Sequence, residues 1–131
     1  MKPSKIFVFG NLDLVMDSLP LKMLPELRKK FPQIEFVVQD PNEEWEVPEN
    51  LVVLDTAVGI KEVMVFDDLE KFTPPPRVSM HDFDALTNLR YLKKLGKLKS
   101  VKIIAVPARK KTLAELTASV AEAITPIFSR Q

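Results

Sequence analysis

The sequence predicts an α/β fold: a three-layer sandwich in which helices cover both faces of a mostly parallel central sheet of about five strands, with an antiparallel edge hairpin. Three observations predict it. Short, nearly continuous β-branched and aromatic runs recur at residues 5–10, 51–55 and 101–107, and such runs suit central strands covered on both faces. Helical periodicity fills the intervals between them, which is the alternation a parallel sheet needs for its crossovers. No repeat or linker divides the 131 residues, so one domain, 1–131, is expected.

The remaining elements follow in order. Weaker strand signals span 34–39 and 62–66. The second is joined to the 51–55 run through a turn containing Gly59, so those two segments read as the hairpin. Residues 18–31 carry Leu21, Leu24, Leu27 and Phe31 at helical spacing. Ser18 is the candidate N-cap there, Pro20 is tolerable in the first turn, and Pro25 should kink or restart the helix. Residues 82–95 repeat Phe83, Leu86, Leu89, Leu92 and Leu95 on one face, with Asp82 or Ser79 as cap and Gly96 just past the end. Thr112-Leu113-Ala114-Glu115 matches a capping box and opens a last helix through Leu116, Val120, Ala123, Ile124 and Ile127. Pro74-Pro75-Pro76 reads as a stiff connection before the second long helix.

Composition narrows the function classes. Hydrophobic residues at 46% and charged residues at 28% make a globular mixture able to bury a core. The absence of cysteine excludes disulfides, thiolate metal sites and cysteine nucleophiles, so any metal would be held by oxygen and nitrogen. A net charge of +1 argues against nucleic acid or an anionic membrane as the main partner. The basic clusters at 28–30, 93–99 and 109–111 lie beside helix ends, where solvated faces or helix-dipole partners are expected. The N-terminus passes directly into a strand-like run without the features of a signal peptide, so a cytoplasmic location is expected.

In an open α/β sheet, ligands bind beyond the carboxyl ends of the strands. Four places meet that rule: Gly10-Asn11 leading to Asp17-Ser18, the Asp40-Pro41-Asn42-Glu43 turn, Asp55-Thr56, and His81-Asp82 at the mouth of the second long helix. Asp17, Ser18 and Asp82 are also ordinary helix-start residues, and Asp40 suits a turn. Asp55 is different, because an acid directly after Leu51-Val52-Val53-Leu54 sets a charge at the end of a buried strand, where it needs a partner or a cation. Two carboxylates and the only imidazole could supply three ligands and leave coordination positions open, as in a substrate-accepting metal site. No dinucleotide fingerprint, P-loop or Gly-x-Ser-x-Gly elbow is present.

Taken together, Phe9-Gly10-Asn11 with Asp17-Ser18, Val52-Val53-Leu54-Asp55, Ser79-Met80-His81-Asp82 and Ile103-Ile104-Ala105-Val106-Pro107 resemble, in order, the hydrogenase maturation endopeptidases of the [NiFe]-hydrogenase system, in their compact archaeal and hydrogenase-3 form. The resemblance implies removal of a C-terminal extension from the hydrogenase large-subunit precursor after nickel insertion. It assigns Asp17, Asp55 and His81 to the metal and Asp40, with Asp17 and Asp55, to catalysis. Asn11 and Asp82 would position the substrate. Nickel would arrive with the substrate, no tightly held cofactor is expected, and the enzyme would act as a monomer. Three positions depart from the family pattern. Gly-x-Gly-Asn reads Val8-Phe9-Gly10-Asn11, the first metal-contacting acid is Asp17 where Glu is common, and Asp40-Pro41-Asn42-Glu43 replaces a glycine-rich turn. The activating group could be the metal or a nearby carboxylate, and the alternative is a non-enzymatic metal- or anion-binding module on the same fold.

Overall fold

The computed structural model of the chain describes residues 4–10, 18–40, 43, 45–69, 79–80, 83–108 and 111–128. In chain order they form β1 (Ser4–Val8), α1 (Leu19–Lys22), α2 (Leu24–Lys30), β2 (Ile34–Val38), β3 (Asn50–Val58), β4 (Met64–Phe66), β5 (Ser79–Met80), α3 (Phe83–Lys94), β6 (Ser100–Pro107) and α4 (Leu113–Phe128). The strands share one sheet in the order β2-β1-β3-β6-β4, and the two-residue β5 also pairs with β3. β1, β2, β3 and β6 are mutually parallel where they pair, whereas β4 and β5 run antiparallel to their neighbours. The α/β architecture with a mostly parallel sheet and helices on both faces is therefore as the sequence predicts. Among the described residues no helix is long and apolar enough to cross a membrane.

The pleat explains why the strand sequences are apolar on both sides. Successive strand residues point to opposite faces, and the core divides accordingly. Phe7, Phe9, Val53, Ala57, Ile103 and Ala105 share one cluster with Leu89 of α3 and with Leu98. Ile6, Val8, Leu54, Ile104 and Val106 share the other with Met23, Leu24 and Leu27 of the α1–α2 region and Leu116, Val120 and Ile124 of α4. The centre of the sheet thus has no wet face.

Local chemistry sets the helix limits. The chain breaks between α1 and α2 at Met23, with Pro25 in the first turn of α2, so the expected restart is present. Ser18 stands at the N-cap of α1, but its side chain makes no capping bond. α3 closes in a Schellman motif: Gly96 at φ +78° takes the left-handed position, its N–H bonds Lys93 O at 3.1 Å, and Lys97 N–H bonds Leu92 O at 3.0 Å. α4 opens with the expected box. Glu115 N–H donates to Thr112 Oγ1 at 3.1 Å, and Thr112 N–H donates back to Glu115 Oε1 at 3.0 Å.

Several expectations are corrected. The segment after Gly59 does not fold back on β3. β4 lies beyond β6 and pairs with it antiparallel through Met64–Ala105, Val65–Ile104 and Phe66–Ile103, because β6 already fills that edge of β3 over eight registered positions. An antiparallel edge exists, but its partner comes from 40 residues later in the chain. Leu95 is 51% exposed rather than part of the buried stripe, since α3 has ended and Leu98, after the reversal at Gly96, enters the core instead. Ser79 belongs to β5 and is not a helix cap. Pro74-Pro75-Pro76 lies outside the described residues.

Two measurements check this account. Leu54→Ala, at a fully buried position of the central strand, should destabilise by about 2–5 kcal/mol in denaturant unfolding. Glu115 has its pKa lowered by the bond from the Thr112 backbone, then by the Thr112 hydroxyl and the charge of Lys111. The stability it contributes is present above the ordinary glutamate range and disappears as pH falls through the lowered value. The melting-temperature gap between wild type and Glu115→Gln should accordingly be open near neutral pH and close in acid.

Candidate functional site

The carboxyl ends of β1, β2 and β3 lie side by side because the register is continuous: Val38 stands opposite Val8, and Val8 opposite Leu54. Phe9 N–H extends the ladder by one bond to Leu54 O at 3.0 Å. β1 then leaves β3, and β5 takes over the same edge three residues later, with Met80 opposite Ala57 and Ser79 opposite Val58. Since β6 occupies the other edge from Asn50 to Ala57, Asp55 and Thr56 sit where β1 departs and β5 arrives. That gap is where a ligand crevice opens in α/β sheets.

Asp55 is therefore not at a strand end, as its sequence context suggests. β3 continues to Val58, because β6 on one edge and β5 on the other supply partners for three further residues. The carboxylate lies inside the ladder. Asp55 is 3% exposed, and by the alternation of the strand it shares the face of Val53 and Ala57 and stands opposite Ala105. Its Oδ1 accepts a hydrogen bond from Thr56 N–H at 2.8 Å. An acid at this depth, among aromatic and aliphatic groups, is costly as a charge unless compensated.

Asp40 lies at the same end of the sheet but in a different setting. It follows β2 by two residues and is exposed. Its carbonyl accepts from Glu43 N–H at 3.0 Å and from Gln39 Nε2 at 3.1 Å, which is turn chemistry. The strand of Asp40 is two spacings from that of Asp55, roughly 10 Å across the sheet. Asp17, His81, Asn11 and Asp82 lie outside the described residues. Their neighbours on the chain are placed: Gly10 follows the end of β1, Ser18 opens α1, Met80 pairs two residues beyond Asp55, and Phe83 opens α3. Among the described residues no three His, Asp or Glu side chains gather to hold a metal.

Trp45 is the feature that sequence reasoning passed over. It is the only tryptophan, and its ring packs on Phe7 at 5.0 Å between centroids and edge-on to Phe9 at 5.9 Å. Its Nε1 is buried without a hydrogen bond among the described residues. With Phe7 and Phe9 it adds aromatic surface to the core cluster on that face of the sheet. The signal was present in the sequence as one large aromatic in the acidic stretch Asn42-Glu43-Glu44-Trp45-Glu46, a setting with little other reason to hold an indole.

No protein-family model, no curated protein and no solved structure matches the chain.

The Thr56 bond separates two roles of Asp55. Asp55→Asn retains an acceptor of the same shape, whereas Asp55→Ala leaves the N–H of a fully buried residue without it. In chemical denaturation the alanine variant should be less stable than the asparagine variant by about 1–3 kcal/mol.

Proposed function

We propose that the chain is a cytoplasmic endopeptidase that removes the C-terminal extension of a [NiFe]-hydrogenase large-subunit precursor after nickel insertion. Asp17, Asp55 and His81 would read the substrate's nickel. The observation that carries this reading is Asp55: a carboxylate 3% exposed in the central strand, at the gap between β1 and β5. A carboxylate buried in a central strand is costly as a charge unless compensated, and a cation is one group able to compensate it. The order of the elements supports the same reading. The segment containing Asp17 leaves the end of β1 and the segment containing His81 leaves β5, so both depart from strands paired to β3 within three residues of Asp55.

In this mechanism the two carboxylates and the neutral imidazole fill open positions on the substrate's nickel, and only a loaded precursor is held with its scissile bond in place. Water adds to the scissile carbonyl, the C–N bond breaks, and the proton lost by the water passes to the leaving amine. Asp40, exposed at the same sheet end, is the candidate general base, and the bound metal is the other possible activator of the water. Asn11 and Asp82 flank the proposed ligands in sequence and would orient the peptide.

Incubation with nickel-loaded and nickel-free precursor, read by mass, tests the reading. Only the loaded form should lose its extension. Asp55→Asn, Asp17→Asn and His81→Ala should each reduce processing by more than the roughly 10- to 100-fold that loss of even an outer partner costs a metal site. Capture of the loaded precursor without cleavage would instead favour the non-enzymatic binding module.

Free nickel supplies a second check, read through quenching of the single tryptophan, Trp45, whose ring partner Phe9 bonds Leu54, the residue before Asp55, through its N–H. Binding should be weak and should strengthen as pH rises, because an imidazole must lose its proton to ligate. Identical titrations for wild type and His81→Ala would remove His81 from the site.

A further inference from the structure

The near-neutral total charge conceals a one-sided distribution. Nine of the 19 basic residues and none of the 18 acidic ones fall between residues 85 and 114. The fold gathers part of that excess at the end of the molecule opposite Asp55. α3 begins after β5, beside the carboxyl half of β3, and the chain beyond it reaches the amino end of β3, where Lys99 N–H and Ser100 N–H bond Glu49 O at 2.7 and 3.1 Å. Thr87, Arg90, Tyr91, Lys93 and Lys94 line an open hollow of about 640 Å³ along the second half of the helix. Lys97 follows the Gly96 reversal.

Lys93, Lys94 and Lys97 make no ion pair among the described residues. Lys99 reaches Glu49 only at 3.7 Å with both side chains largely exposed, a geometry that neutralises little. The negative pole of α3 accounts for a cation or two in its last turn. It does not account for Tyr91 and Leu95, which are 60% and 51% exposed one helical turn apart among those lysines. Arg90 holds the base of the surface through a bond from its Nη2 to Leu69 O at 3.0 Å.

We infer that this face of α3 docks a protein segment carrying carboxylates around an apolar side chain, at a surface separate from the Asp55 gap. Exposed Tyr and Leu flanked by cations match the make-up of a protein interface, in which an aromatic or aliphatic anchor is ringed by charge. A nucleic-acid backbone would satisfy the lysines but offer Leu95 nothing. It would also meet the rest of the chain, where the 18 acidic residues outnumber the remaining basic ones and repel a long polyanion. A short acidic segment feels only the local field. The docking does not depend on the proteolytic reading, since no residue of that reading lies on this surface.

Fluorescence anisotropy with a labelled peptide of Glu and Leu tests the inference, with labelled single-stranded RNA and phosphatidylserine vesicles as rival probes. Wild type should bind the peptide most tightly, with affinity falling as salt rises. The double variant Lys93→Glu/Lys94→Glu should lose at least ~10-fold in affinity, the lower range by which a charged patch alters encounter, and Tyr91→Ala should weaken binding without changing its salt dependence. The triple variant Lys93→Gln/Lys94→Gln/Lys97→Gln, checked for native helicity by circular dichroism, should show the same loss if charge reversal disturbs the end of α3. The control Lys29→Glu/Lys30→Glu, on the exposed end of α2, should bind as wild type does. Absence of peptide binding by wild type, an equal loss in the α2 control, or tighter binding of RNA or vesicles than of peptide would each overturn the inference.

Discussion

The ladder between β3 and β6 is the constraint on which the rest of the molecule depends. Eight positions pair in parallel register from Asn50–Ser100 to Ala57–Pro107, and every residue from Val53 to Ala57 and from Ile103 to Pro107 is buried. A strand buried on both faces has no water to satisfy its backbone, so both of its edges must be paired by protein. β6 fills one edge of β3, while β1 and then β5 fill the other. The expected hairpin cannot coexist with this arrangement, because a three-residue β4 would have to displace an eight-residue partner. It is moved to the outside of β6, and Pro107, lacking an N–H, marks the last pair of the ladder.

The same constraint explains why Asp55 matters. In the ladder this carboxylate stands opposite Ala105, and its Oδ1 is engaged by the next N–H along the chain. A strand position of this kind would ordinarily carry Val or Ile. Along one edge of β3 the pairing with β1 ends at Leu54 and that with β5 covers Ala57 and Val58, and in the sequence β1 is followed by the remaining acid and β5 by the imidazole of the proposed site. Trp45 packs edge-on to Phe9 in the cluster that also holds Val53 and Ala57, so the face of the sheet that Asp55 shares is apolar and aromatic.

Charge is arranged along the same axis. Asp40 and Asp55 lie toward the carboxyl ends of the strands, and the lysines after α3 lie toward the amino end of β3. α3 links the two, since it begins near one and ends near the other. The buried Asp55 and the exposed Asp40 thus stand toward one end of the sheet, and a lysine-rich face stands toward the other.

What the sequence determined by itself was whatever depends on neighbours along the chain. The β-branched runs specified β1, β3 and β6, the Thr112–Glu115 box specified the start of α4, and Gly96 specified the end of α3, since pleat, cap and left-handed turn are properties of a few consecutive residues. The helical layers followed from that alternation. Tertiary structure alone decided which strands are adjacent, how far β3 continues past Asp55, why Leu95 yields its core place to Leu98, and that Trp45 stands beside Phe9. Each of these is a competition between distant segments for the same edge or the same apolar face. The winner is set by the number of backbone bonds and the apolar area gained across the whole molecule, quantities that no local pattern contains.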